Sequence, residues 1–295
     1  MVHRPWSIVH GPVLQWTSPL LHAGENKMLS TQENWPKAKV AFAGYFLLAL
    51  LQWPSSYLII HISLSLGVIL NEWGFLAGMS LFIAWKSKSK LSLLFPFRPV
   101  KKNNFFLLLV MTFSMVVIVD YLLFLSEKIL PPDPAVKIAL EQLMSIHSFG
   151  DGLWRWFLIC LSPAFCEELF FRGFLQNTLA HRWKVNGAML FAAVSFALIH
   201  GVPQYLHLYF LLGLYLSWLF KVSGNLWFSM IAHLINNSWT FLTFIFDKKI
   251  PAGGVWHPTD SLVMGIAVLV FAIAASRFAK EVQNPSFVGM TTSPN

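Results

Sequence analysis

Charge and cysteine are both scarce in this chain. Of its 295 residues only 12% are charged and two are cysteines, against 56% that are hydrophobic, and the mean hydropathy is +0.59. So little charge cannot coat a water-soluble particle, and so many apolar side chains cannot be hidden in one soluble core; the composition is that of a polytopic membrane protein. Cys160 and Cys166 fall six residues apart on one expected helix, too far apart to bridge, and no CxxC or other Cys/His ligand spacing occurs, so the cysteines carry no information on redox compartment or zinc. Internal repeats, low-complexity stretches and a soluble domain of any size are lacking as well. Residues 1–39 hold Arg4, Lys27, Lys37 and Lys39 among prolines and histidines, without the uninterrupted apolar core of a removable signal peptide. The net charge of +8 does not indicate nucleic acid, because the Lys and Arg residues lie in short connectors between apolar runs, the positive-inside pattern.

What is present is a succession of apolar runs, and with ~20 residues needed per crossing they predict an all-α transmembrane bundle of about eight spans. Residues 40–85 supply two, interrupted by Pro54, His61 and the pair Asn71-Glu72, with a poorly marked turn between them. The connector bearing Lys86, Lys88, Lys90, Arg98, Lys101 and Lys102 is the most basic and is expected in the cytoplasm. A third span covers 105–126 and includes Asp120, which reads as structural; the proline-rich stretch 127–150 reads as an outside loop with a short amphipathic helix. The remaining spans are expected at 153–175, 186–200, 205–220, 226–246 and 262–275. Under that count all basic connectors fall on one side and both termini are cytoplasmic.

The fourth span carries the chemistry. Glu167, Glu168 and Arg172 lie within six residues of an otherwise apolar helix, and ionisable groups in hydrocarbon are costly enough to face a bundle interior or an aqueous cavity. Glu168 and Arg172 stand at i, i+4 and can pair, which leaves Glu167 without a local partner. A structural ion pair pinning two helices would account for that motif alone. Downstream, however, His200 ends the run FAAVSFALIH, and His233 and Asn237 share one face of the seventh span at i, i+4. Carboxylate plus imidazole is what water activation requires, and His233 and Asn237 would supply N–H donors to the oxygen of a tetrahedral intermediate. The same carboxylates and imidazoles, Glu167, His200 and His233 among them, would alternatively suit zinc or another divalent ion. His207, beyond the break made by Gly201 and Pro203, reads as a cavity or interface residue, and Asn236 lies on a different face from Asn237.

EELFFR at 167–172, FALIH at 196–200 and HLINN at 233–237 resemble the EExxxR, FxxxH and HxxxN signatures of the CAAX-protease and bacteriocin-processing (CPBP, or Abi) family of intramembrane proteases. The resemblance covers about residues 150–245. It implies an intramembrane endopeptidase in which Glu167 is the catalytic base, Glu168 and Arg172 support it, His200 assists in activating water, and His233 and Asn237 form the oxyanion side. Family members have been described both as metalloproteases and as glutamate proteases, and they act on prenylated proteins, bacteriocins or signal peptides. The expected organisation is then a cytoplasmic segment 1–39, N-terminal membrane helices 40–150, a catalytic bundle 151–246, and a last helix with tail 247–295, in the cell membrane, the inner one in a bacterium. The expected partners are the lipid bilayer and a membrane-tethered or lipidated polypeptide substrate. A transporter or proton relay would place related polar sites in both halves of the chain, whereas the polar residues here cluster in one half. A non-proteolytic immunity or partner-binding protein on the same fold is the other rival. HExxH, GxSG and GxGD, the marks of other membrane proteases, do not occur.

Overall fold

The computed structural model describes residues 34–131, 133–247 and 260–282. Arg4 and Lys27 of the N-terminal segment, and the tail beyond 282, lie outside the described residues. All regular structure among the described residues is helical, as the composition requires: apolar runs of this length satisfy their backbone groups within a membrane only by coiling on themselves.

α1 (Ala38–Ile60) and α2 (Leu64–Lys86) account for the long first apolar run. The turn that the sequence marked poorly falls at His61 and Ile62, where Ser63 adopts extended backbone and its hydroxyl accepts the Leu66 N–H at 3.4 Å. This is the N-cap geometry that restarts a helix. A one-turn helix α3 (Leu91–Leu94) sits in the basic connector, followed by α4 (Lys102–Ile129) and the short α5 (Pro134–Met144) expected of the proline-rich stretch.

α6 runs over 149–180 and is longer than the span expected at 153–175. Its start is fixed by Ser148, whose hydroxyl accepts the Asp151 N–H at 3.1 Å. Arg155 then pairs with Asp151 at 3.1 Å and donates to the carbonyls of Gln142 and Leu143 at 2.8 and 2.7 Å, tying the end of α5 to this turn. Two stretches of α6, Phe157–Leu161 and Leu169–Gln176, are wound in the wider π manner. Pro163 follows the first of them. It has no N–H to give the Ile159 carbonyl four residues back, so that carbonyl is open to another donor.

α7 (Val185–Ile199), α8 (Pro203–Ser223, opened by a single 3₁₀ turn), α9 (Leu226–Asp247) and α10 (Ser261–Val282) are the remaining helices among the described residues. α8 stops at Gly224, whose φ of 57° is the left-handed conformation that ends helices without a Cβ penalty. Among the described residues four helices are long and apolar enough to cross a membrane: α2, α4, α8 and α10; α7 and the Ala38–Gln52 part of α1 are shorter apolar helices. α6 and α9 are not in that set; α6 carries Glu167, Glu168 and Arg172, and α9 carries His233 and Asn237.

α10 packs along α4, α8 along α7, and α9 against α6, α8 and α4. Two glycines allow close approaches, Gly173 of α6 to the basic connector and Gly213 of α8 to α7. A Cβ on Gly173 would stand 2.5 Å from Cδ1 of Phe95, and one on Gly213 would stand 3.0 Å from Phe196 and 3.1 Å from the Ala193 carbonyl. The basic connector is not loose. Asn177 donates to the carbonyls of Leu93 and Leu94 at 2.8 and 3.1 Å, and Asn225 both donates to Arg98 O at 3.0 Å and accepts its N–H at 3.2 Å.

Candidate active site

Glu168 and Arg172 form the pair that their spacing predicts. Arg172 Nη1 donates to Glu168 Oε1 at 2.6 Å with both side chains fully buried. Arg172 Nη2 reaches the Gly213 carbonyl at 3.0 Å, and the guanidinium lies 4.6 Å from the centre of the Phe196 ring. The absence of a side chain at Gly213 lets α8 approach α7 closely at Phe196 and Ala193. A buried charge pair needs such additional partners to offset its desolvation.

Glu168 Oε1 accepts a second bond, from His233 Nδ1 at 3.0 Å. A carboxylate paired with arginine is acceptor-only, so the imidazole proton sits on Nδ1 and the neutral ring presents a lone pair at Nε2. That Nε2 lies 4.0 Å from Oε2 of Glu167, which has no hydrogen-bond partner although Glu167 is only 8% exposed. The two glutamates therefore have distinct surroundings. Glu168 joins Arg172 and His233 through Oε1 and leaves its Oε2 without a partner, whereas the unengaged Oε2 of Glu167 faces an imidazole.

His233 was expected to offer an N–H to an oxyanion. Its N–H is held by Glu168 instead, and Nε2 becomes a donor only when the ring takes up a second proton. Asn237, one turn further along α9, donates its amide to Ile159 O at 3.4 Å, the carbonyl that Pro163 leaves free, and accepts from Asn236 at 3.3 Å. Asn237 is thus held against the backbone of α6 beside the wide turn that precedes the glutamates.

His200 stands at the C-terminal end of α7. Its Nδ1 donates to the Phe196 carbonyl at 2.7 Å, which leaves Nε2 as its lone pair, and its ring stacks on Tyr209 with centroids 4.0 Å apart. The Phe196 ring contacts both histidines, with centroids 4.7 Å from His200 and 5.8 Å from His233. A metal bound by Glu167, His200 and His233 would require three donors around one point. Among the described residues no three His, Cys, Asp or Glu side chains gather in that way, and the residues as arranged do not fit a metal.

His207 bonds Ser126 of α4 at 2.6 Å, and Asp120 accepts the Trp239 indole N–H at 2.7 Å, both contacts between helices as their positions suggested. The motifs do not name Tyr209, Gly213 or Glu72. Tyr209 and Gly213 lie in apolar runs with nothing local to mark them. Glu72 carried a legible signal, an acid inside an apolar span, whose connection to α6 needs the fold.

No curated protein and no solved structure matches the chain. Residues 149–239, which hold Glu167, Glu168, Arg172, His200, His233 and Asn237, match the family model described as Type II CAAX prenyl endopeptidase Rce1-like, in agreement with the CPBP resemblance of the three motifs, and this family domain supports an intramembrane protease role.

Proposed function

We propose that the protein is a glutamate-type intramembrane endopeptidase that hydrolyses a peptide bond of a membrane-tethered or lipidated polypeptide. The observation that carries this reading is the buried, unengaged Oε2 of Glu167 facing His233 Nε2 at 4.0 Å, beside a second carboxylate that arginine has already neutralised. Glu167 takes a proton from water as the water oxygen attacks the scissile carbonyl carbon. The same proton passes to the leaving nitrogen as the C–N bond breaks, so the carboxylate is regenerated. His233 Nε2 shares that proton, and the positive charge it gains is balanced by the Glu167 carboxylate that gave the proton up. His200, with its own lone pair at Nε2, orients the water, and Asn237 turns its amide to the developing oxyanion. A zinc-dependent variant of this chemistry gains no support from the side-chain arrangement.

The expectation of an apolar substrate rests on access. An open cavity of about 460 Å³, lined by Val194, Leu198, Pro203, Leu206, His207 and Phe210, lies between α7 and α8. A hydrocarbon chain or apolar helix entering from the bilayer matches such walls.

The test is hydrolysis itself. The purified protein in lipid vesicles is incubated with a lipidated peptide in ¹⁸O-labelled water, and the products are weighed by mass spectrometry. Cleavage with one ¹⁸O at the new carboxylate is expected. Proton or cation flux across the vesicles with no cleaved product would instead establish the transport reading. We also place both termini in the cytoplasm, so a reporter inserted at residue 140 should behave as external; a cytoplasmic signal there would overturn this topology.

A further inference from the structure

The basic connector holds a cavity outside the family-matched segment. An open space of about 670 Å³ lies at the corner where α2 ends and α3 begins. Leu81, Trp85 and Leu91 give it apolar walls, and Lys86, Lys88 and Ser89 line its polar side. All three apolar side chains are exposed, Trp85 at 72%. α2 is long and apolar enough to cross a membrane, and a helix that crosses places its end, with any tryptophan there, among the lipid headgroups.

The end of α2 is strained. The Ser89 N–H donates to Ala84 O and the Lys88 N–H to Trp85 O, each at 3.0 Å, which are the two bonds of a Schellman cap. That cap needs left-handed backbone at the position that glycine normally fills. Here the position is Lys88, at φ 54°, and among the described residues no other non-glycine residue has a positive φ. Holding a side chain there costs free energy, and such strain points to function where nothing local offsets it. Favourable interaction with the helix dipole does not account for it, because Lys86 in the last turn supplies that charge without strain.

Counter-charge decides what the lysines are for. No aspartate or glutamate occurs between Glu72 and Asp120, and among the described residues neither Lys86 nor Lys88 enters an ion pair. The Ser89 hydroxyl has no hydrogen-bond partner either. A second cavity of the connector, about 410 Å³ beside Lys101 and Lys102, already contains a carboxylate, that of Glu281. The corner of α2 and α3 has cations and an apolar wall but no anion of its own. A free phosphate would leave that wall bare, whereas a phospholipid uses both parts.

We propose that this corner binds one anionic phospholipid, its phosphate between Lys86 and Lys88 and an acyl chain along Leu81, Trp85 and Leu91. Leu91 opens α3, whose Leu93 and Leu94 carbonyls receive the Asn177 amide of α6. An occupied site therefore braces the helix that carries the glutamates and stabilises the fold by mass action. The site does not depend on the proposed hydrolysis.

The full-length protein in a neutral detergent is titrated with phosphatidylglycerol or phosphatidylcholine of the same chains, and bound lipid is counted by native mass spectrometry. One phosphatidylglycerol should be retained in preference to phosphatidylcholine. Lys86→Gln and Lys88→Gln should each weaken it roughly 5-fold, and together roughly 25-fold. Lys101→Gln with Lys102→Gln removes the same charge from the same connector and should leave binding unchanged. Lys88→Gly relieves the left-handed strain, so it should melt higher than wild type without lipid and yet bind roughly 5-fold more weakly. Wild-type affinity in Lys88→Gly overturns the proposal, since that variant folds at least as well. Equal retention of the two lipids, an equal loss in the Lys101 and Lys102 pair, or displacement of the lipid by inorganic phosphate would each overturn it as well.

Discussion

Replacing Glu167 by Gln should reduce peptide cleavage by at least ~10²–10⁴-fold, the range that a positioned acid-base group typically contributes. Glutamine keeps the size of the side chain and can still meet His233 Nε2, now as an amide donor, so the packing of α6 on α9 has no reason to change. It cannot take a proton from water, and the loss should therefore appear at every pH. Asn237→Ala should fail differently. It removes one donor, worth about 10²–10³ in rate where such donors have been removed from other sites, and also releases the Ile159 carbonyl. Turnover of a lipidated peptide by both variants in matched vesicles, with insertion checked, separates the two roles. Full activity in Glu167→Gln would end the mechanism as drawn.

The second large effect is on stability. Arg172→Met should lower the unfolding free energy in detergent by about 3–5 kcal/mol, because it strands the fully buried Glu168 without its cation. The Gly213 carbonyl loses its donor in the same substitution. The double variant Glu168→Gln, Arg172→Met should recover much of that loss, since an amide can still accept from His233 and methionine fills the guanidinium's volume. Thermal unfolding of the three proteins measures this. A double variant no more stable than Arg172→Met alone would mean that the pair stabilises through the backbone contact to Gly213 and not through charge compensation.

Much of this was legible in the sequence, for local reasons. An i, i+4 pair, a histidine closing an apolar run, and a His-Asn face on one helix depend on helical periodicity alone, and residues 149–239 bear out the family that they suggested. Helix ends were less legible. α6 begins at a serine cap and an Asp-Arg pair that the apolar pattern does not register, and so extends beyond its apolar part. What the sequence could not supply was contact between helices distant in the chain. The imidazole proton of His233 is fixed by Glu168, 65 residues earlier, so the ring's expected use as a neutral donor was a guess about a partner that only the fold names.

The charged turn in α6 bears on how the bundle is built. A helix carrying an arginine emerges into the bilayer before α8 and α9 have been synthesised, when neither Gly213 nor His233 yet exists to receive it. Glu168 lies one turn away on the same helix, so the guanidinium brings its counter-ion with it and enters as a neutral unit at a fraction of the cost of a lone charge. Glu167 has no such companion within its own helix. The order of synthesis thus leaves the carboxylate proposed as the base as the last polar group to be settled, when α9 brings His233 to face it.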